Sequence, residues 1–451
     1  MSEPNKLSRR GFLENSAAAG AAGAAVARYV PASALGLDGK PAPNDRIGVG
    51  LIGAGLMGTA NLKHCAEHDD VAVTGICDVW KSKRDRLVDE FKPSAKPYHD
   101  YREMLGQDDV DGVIVATPPH WHCLQAIYAC EAKKDVYVQK PMTVYPAEGL
   151  ALKRAAEKHG VITQVGTQIH AGENYRRVVE YVRSGNLGPI GVVRTYLHYR
   201  RSVEGYGQVP DSQPPDDLDW NLWLGPGPQR PYNEILAKSA AYTAQFMDYS
   251  GGMVPGMAPH ICDLPYWALE LGFPETTSCF GGRFVTQGVG DAPDTQEIHW
   301  QYPGLTMTWM SSAVDTYGFN FQRKPGGRHH LGIYFHGVNG TLVSDYRVHN
   351  IVPEGDALKD VEPPEPSIPP SPGHEREWLD SMRSRQQPSC HVAYHVKIDL
   401  ACTLANLSLK VGRSLRFDPQ SETIVGDDEA ARLAVPEYRA PWKFPAEYVE
   451  S

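Results

Sequence analysis

Six apolar residues, Ile47–Ile52, run directly into Gly53-Ala54-Gly55-Leu56-Met57-Gly58, and a second apolar run, Val71–Cys77, ends in Asp78. A short unbroken apolar run reads as a strand buried on both faces. A glycine turn between such a strand and a helix, with an acid about twenty residues further on, is the signature of a dinucleotide-binding βαβ unit. Gly53 permits the tight turn, Gly55 admits a pyrophosphate close to the backbone, and Gly58 lets the helix pack near the strand. The helix N-terminus offers unpaired N–H groups to phosphate. Gly53, Gly55, Leu56, Met57, Gly58 and Asp78 are therefore the candidate cofactor contacts. Asp78 suits the adenine ribose hydroxyls and repels a 2′-phosphate, which favours NAD over NADP; Lys81, Lys83 and Arg84 close behind it weaken that preference.

The alternation continues. Helix is expected over Thr59–Glu67, Ser82–Phe91, Cys123–Lys133 and Ala147–His159, and strand over Val110–Ala116, Val136–Val138 and Val161–Val165. Strands alternating with helices predict an α/β, doubly wound parallel sheet over residues 45–168, whose ligand crevice lies at the strands' carboxyl ends. Thr117, Pro118, His120, His122, Gln139, Lys140 and Gln168 lie at or just past those ends and join the candidate cofactor contacts.

Residues 169–451 read differently. A basic amphipathic helix over Asn174–Ser184 and a strand over Ile190–His198 precede a Pro-rich loop, Ser202–Leu218, long enough to cover a pocket. Strands at Ser278–Thr286, Thr295–Tyr302, Leu305–Ser311, Leu331–Phe335 and Thr341–Ser344 are separated by turn residues, which predicts a large open antiparallel sheet in an α+β domain. Helices at Glu375–Arg383 and His395–Val411 are expected to return to the first domain.

The first 34 residues carry Arg9-Arg10, then an Ala/Gly-rich stretch, then Ala32-Ser33-Ala34, the order of a twin-arginine export signal, so a periplasmic protein is expected. A formal net charge of −10 argues against nucleic-acid partners, and no apolar run suits a membrane span. The cysteines show no C-x-x-C spacing and His329-His330 lacks a third ligand nearby, so no metal site is expected.

GAGLMG, ICDV, VATPPHWH, VQKP, VGTQ, LDWNLWLGP, the segment around His260, GVNGTLVSD and LANLSLKVGR together resemble the family of glucose–fructose oxidoreductase, inositol dehydrogenase and MocA-type dehydrogenases. The likeness spans nearly all of the chain after the leader and is greatest to the exported branch, which also resembles glycosidases that oxidise their sugar transiently. It implies an NAD-dependent oxidoreductase acting on CH–OH groups of a sugar, cyclitol or glycoside, with a transiently oxidising hydrolase or lyase, or a catalytically impaired homologue, as alternatives. Lys140 is then the lysine facing nicotinamide and substrate, and His260 the proton acceptor. Two positions depart from the family: Gln139 replaces the usual Glu before the lysine, and Gly256 stands where an Asp commonly precedes the histidine by four. Asp263 is a candidate substitute acid. Tyr175, Arg176 and Tyr249 are candidate substrate contacts, as are, less specifically, His170, Asn174, Trp220 and Trp223. An open sheet face needs a cover, so a homo-oligomer is expected.

Overall fold

The computed structural model describes residues 41–42, 45–314 and 329–449; the leader expected over residues 1–34 lies outside them. The parallel sheet is built from β1 (Ile47–Ile52), β2 (Val71–Cys77), β3 (Lys96–Tyr98), β4 (Gly112–Val115), β5 (Asp135–Val138) and β6 (Thr163–Val165), in the order β3-β2-β1-β4-β5-β6. β1 lies between β2 and β4, so the chain reverses its direction of travel across the sheet at the glycine turn. Helices α1 (Leu56–Ala66), α2 (Lys81–Glu90), α3 (Tyr101–Leu105), α4 (His122–Glu131) and α5 (Pro146–His159) join the strands. β1, β4 and β5 are buried at every residue, as a sheet covered on both faces requires.

The second region contributes α6 (Glu173–Arg183), β7 (Ile190–Tyr199), α7 (Trp220–Leu224), α8 (Glu234–Lys238), α9 (Ala240–Thr243), α10 (Met247–Ser250), α11 (Met253–Met257) and α12 (Pro259–Leu269). Strands β8 (Thr276–Gly282), β9 (Thr295–Tyr302), β10 (Leu305–Ser312), β11 (His329–Gly337), β12 (Gly340–Ser344) and β13 (His349–Pro353) follow. The chain ends with α13 (His374–Ser384), α14 (Val392–Val411), β14 (Leu415–Asp418), β15 (Thr423–Ile424) and α15 (Asp428–Leu433).

The second sheet has nine strands in the order β13-β12-β11-β7-β10-β9-β8-β14-β15. It is mixed rather than purely antiparallel. β7 lies between β10 and β11 and runs parallel to β10, with Val192 opposite Thr306. The turns between neighbouring strands announce hairpins, whereas the β7–β10 pairing joins segments with eight elements between them. One face alternates strictly: Ile298, Trp300, Met307 and Trp309 are fully buried. The Trp300 indole donates to Ala401 O of α14 at 2.9 Å, so the long helix covers that face. The other face carries Glu297, His299 and Gln301, with Phe280 64% exposed among them.

The C-terminal helices close the core of the parallel sheet. Trp378, Leu379 and Met382 of α13 cluster with Val49, Leu51 and Leu62, and Val392 and Val396 of α14 cluster with Val113, Val136 and Leu150. Edge strand β6 is completed from the same segment. Val165 N–H donates to Cys390 O at 2.9 Å, Thr163 N–H to Gln387 Oε1 at 3.0 Å, and Val392 N–H to Thr163 Oγ1 at 3.1 Å. All eight cysteines are buried thiols.

Candidate functional site

The glycine turn has the shape its sequence requires. Gly53 has φ +101°, and a Cβ there would lie 2.7 Å from the backbone of Ala116 and Thr117. A Cβ on Gly58 would strike Gly53 O at 2.1 Å. At Gly55 the opposite holds: a Cβ would meet nothing within 4 Å, so space is open over the turn. Among the described residues no side chain caps α1, and no acid lies in its first turn, so its N-terminal N–H groups and dipole face an anion site. Leu56, 81% exposed, and Met57 border that opening. Asp78 closes the far side. Its Oδ2 accepts the Ala54 N–H at 2.7 Å and its Oδ1 the Trp80 N–H at 2.8 Å, so the acid ties the glycine turn to the end of β2. Burial pushes its carboxyl up, against those two hydrogen bonds and the charges of Lys83 and Arg84. An open cradle at a helix N-terminus with an acid beside it fits a dinucleotide.

Lys140 follows β5 and is joined to Pro141 by a cis peptide. Its Nζ donates to Gly256 O at 3.3 Å. Ala258 is right-handed helical, and Ala258 N–H donates to Val254 O, so α11 runs into α12 with little break. His260 thus lies about one helical turn beyond the carbonyl that holds the lysine. Burial alone lowers Lys140 to about 8. His260 is half-buried, its ring edge-on to Tyr346 at 5.7 Å, and its backbone carbonyl accepts the Tyr175 hydroxyl.

Gln139 is buried, and its side chain bridges Asn61 and the Lys140 backbone. Its Nε2 donates to Asn61 Oδ1 at 2.7 Å, and the Asn61 amide donates to Glu375 Oε1 at 2.6 Å. The Gln139 Oε1 accepts the backbone N–H of Lys140 at 3.1 Å. A chain of amides therefore links α1, the lysine turn and α13. Thr117 donates its hydroxyl to Gln125 Oε1 at 2.7 Å, while Pro118 precedes a 3-10 turn over Pro119–Trp121. Gln168 opens a second such turn after β6 and is partly exposed.

Several candidates are buried and hydrogen-bonded within the protein. His122, expected at the cofactor, is buried with Nδ1 2.7 Å from Pro141 O and Nε2 2.7 Å from Thr117 O. Burial outweighs the pull of those carbonyls and keeps the ring toward neutrality, so one nitrogen donates at a time and the ring clasps the β4 and β5 turns together. His120 is likewise buried, at 3.1 Å from Trp223 O, and burial lowers it to about 4.

Tyr175, Arg176, Tyr249 and Asp263 are likewise engaged inside the fold. Tyr175 is fully buried because it shares the apolar stripe of α6 with Val178, Val179 and Val182, a spacing legible in the sequence. The Arg176 guanidinium is spent on the carbonyls of Pro369, His170 and Gly172. Tyr249 is fully buried, donates to Pro228 O at 2.6 Å and meets His120 edge-on. Asp263 does not stand in for the missing acid near His260. It is fully buried, accepts from His170 Nδ1 at 2.8 Å and from the Tyr394 hydroxyl at 2.7 Å. Despite burial, the electrostatic pull of the His170 ring, with these hydrogen bonds, holds its carboxyl below the usual range. His170, Asp263 and Cys390 place possible metal ligands within 4.8 Å of one another, but both partners of Asp263 already donate to it. Asn174 is bound to Ser344 and Asp345, and Trp220 stacks on Trp223 within a buried cluster.

A Rossmann crevice with an open cradle at its glycine turn, beside a strand-end lysine tied to the helical segment that leads into His260, defines the class: an α/β protein with a dinucleotide-type crevice. A profile described as an oxidoreductase family NAD-binding Rossmann fold matches residues 47–167, and its C-terminal alpha/beta companion matches residues 172–271 and 326–444. The chain belongs to this Gfo/Idh/MocA oxidoreductase family. Among curated relatives, a glycosyl hydrolase family 109 protein of Shewanella pealeana is 28% identical over 41% of this chain and 44% of its own length. Inositol 2-dehydrogenase of Salmonella typhimurium is 27% identical over 38% of this chain and 49% of its own. The chain thus spans less than half the length of these two relatives. Of solved structures, the WlbA dehydrogenase from Bordetella pertussis, in complex with NADH and UDP-GlcNAcA, superposes with a TM-score of 0.61 at 19% identity, covering 83% of this chain and 99% of that one. Levoglucosan dehydrogenase in complex with NADH gives 0.56 at 17% identity, covering 82% and 98%. At these identities the likeness is one of fold.

Proposed function

We propose that this chain is an NAD-dependent oxidoreductase that moves hydride between the nicotinamide and a hydroxyl-bearing carbon of a sugar, cyclitol or glycoside. The observation that carries the reading is the hydrogen bond from Lys140 Nζ to Gly256 O. It joins the end of β5 to α11, which runs on into the first turn of α12 where His260 lies, and this supports pairing the two side chains in proton handling. When bound, the nicotinamide accepts or returns the hydride. Lys140, lowered by burial, donates a hydrogen bond to the reacting oxygen as an ammonium and takes its proton as an amine. His260 relays the proton onward. His170 and Tyr394 anchor α12 through its own Asp263, and Tyr175 holds the same helix at the His260 carbonyl.

Initial NADH production on a panel of sugars and cyclitols tests the assignment. Lys140→Ala should lower kcat by about 10²–10⁴, and His260→Ala by less, since no acid orients its ring from position 256. Near-full activity of Lys140→Ala would overturn the site. A second reading is favoured by the family 109 relatives: the same crevice serves a glycoside hydrolase or lyase that oxidises its sugar and then returns the hydride. Cleavage of an aryl glycoside with bound NAD, and no net NADH, would select it.

Two further parts of the proposal rest on other features. Arg9-Arg10 and Ala32-Ser33-Ala34 support export through the twin-arginine route into the periplasm, with folding and cofactor loading beforehand. Among the described residues one face of the nine-stranded sheet is left uncovered, with Phe280 and Val352 exposed on it, and this supports a homo-oligomer.

A further inference from the structure

The loop after β7 does not only border the second region; its end crosses to the first. Leu218 pairs with Trp80 in an antiparallel bridge, and Asp219 N–H donates to Val79 O at 3.1 Å. Asp217 then covers the first turn of α2. Its backbone carbonyl accepts the Lys81 N–H at 2.8 Å, its Oδ2 the Ser82 N–H at 3.1 Å, and its Oδ1 the Trp80 indole N–H at 3.2 Å. Trp80, at the N-cap of α2, supplies no side-chain cap, so the cap comes from a residue 135 positions away.

The location gives this contact a consequence for the cofactor. In a Rossmann crevice the adenine ribose lies beside the acid that ends β2, here Asp78. A 2′-phosphate on that ribose projects past the acid, toward the turn that opens the next helix. Free N–H groups, the positive end of a helix dipole and nearby cations would make that turn an anion site. Lys81, Lys83 and Arg84 are such cations. Each already has a partner: Lys81 and Arg84 pair with Asp85 at 2.5 and 2.9 Å, and Lys83 Nζ sits 3.6 Å above the Trp80 ring.

We propose that Asp217 is the second determinant of NAD over NADP: its carboxylate occupies, at the first turn of α2, the place a 2′-phosphate would take. Discrimination is therefore shared between two carboxylates from different domains. Asp78 meets the ribose and repels, while Asp217 fills the anion site and takes up the N–H groups. The hydrogen bond from Ser82, with that from Trp80, holds Asp217 below the ordinary carboxylate range, so it stays charged at neutral pH. This assignment rests on the reading that the crevice takes a nicotinamide dinucleotide.

The test is calorimetric titration of the purified full chain with NAD and with NADP, for wild type, Asp217→Asn, Asp217→Ser, Asp78→Asn and the double variant Asp78→Asn/Asp217→Asn. Wild type should bind NAD more tightly. Both Asp217 variants should shrink the NADP-to-NAD ratio of Kd values by about tenfold or more, equivalent to about 1.4 kcal/mol, chiefly by tightening NADP, with NAD affinity nearly kept. Asp78→Asn alone should retain part of the preference, and the double variant should lose most of it. An unchanged ratio in both Asp217 variants would overturn the proposal. So would an equal weakening of both cofactors, which would make Asp217 a helix cap and nothing more. If wild type binds neither dinucleotide, the reading of the crevice itself falls, and the assignment with it.

Discussion

Replacing Gly256 by Asp tests whether Lys140 is the group that titrates during turnover. The lysine donates to the Gly256 carbonyl at 3.3 Å, and a Cβ at 256 meets nothing within 4 Å, so a carboxylate has room beside the ammonium. Burial lowers Lys140 from 10.5 to about 8. At pH 7 that leaves roughly one lysine in ten neutral, against roughly one in three thousand at the ordinary value. A carboxylate about 5 Å away contributes about 3 kcal/mol at an effective dielectric constant near 20, or about 2 pKa units. An opposite charge favours the protonated form, so the shift is upward. The oxidation-direction kcat/KM should rise with pH to a plateau, with its midpoint near 8 in the wild type and about 2 units higher in Gly256→Asp. At pH 7 the variant should be roughly 100-fold slower, with the gap closing as the pH approaches its new midpoint. Carbonyl reduction, which uses the protonated lysine, should not show this loss. Initial rates of NADH formation at subsaturating substrate, from about pH 6 to 10.5, measure both midpoints. A midpoint that does not move, or a variant faster at pH 7, would refute Lys140 as the titrating group and hand the proton to His260.

Two other outcomes follow from the structure and one from the sequence. Gln139→Glu sets a carboxylate against Asn61 Oδ1 and should cost about 1–3 kcal/mol; Glu375→Gln lets the Asn61 amide reverse, so the double variant should recover much of that in denaturant melts, and strict additivity would remove the link. Burial raises Asp399 to about 7 from 3.8, so the folded state holds a proton the unfolded chain has lost, and stability falls as pH rises between those values. Asp399→Asn should flatten that slope, by up to about 4 kcal/mol on its alkaline side, and equal slopes for both proteins in urea would refute the assignment. Arg9→Lys with Arg10→Lys should hold the protein in the cytoplasm on fractionation, and an unchanged periplasmic yield would refute the export signal.

The parallel sheet was legible because its strands are short apolar runs with glycine or polar punctuation, which is a local signal. β3 was not: Lys96-Pro97-Tyr98 is a three-residue edge strand with no apolar run. The central place of β7 was hidden because its partners β10 and β11 come far later in the chain. At the site, Lys140 and His260 were marked by strand ends and by family likeness. Tyr175 was misjudged although its spacing to Val178, Val179 and Val182 places it on a core stripe. Nothing local marks Asp217 as a cap, since PPDD reads as an ordinary polar loop until α2 is seen beneath it.

The stitching of β6 by residues 387–392, and the filling of the core by Trp378, Leu379 and Met382, bear on the order of synthesis. The nucleotide-binding half leaves the ribosome well before α13 and α14, the segment that closes it. At the usual ~5–20 residues per second the interval from β6 to α14 is on the order of 10–50 s. Through that time β6 has one unpaired edge and the apolar surface beneath β1 lies open. The nascent chain cannot finish its first domain as it emerges; that domain becomes native only once α13 and α14 have been made.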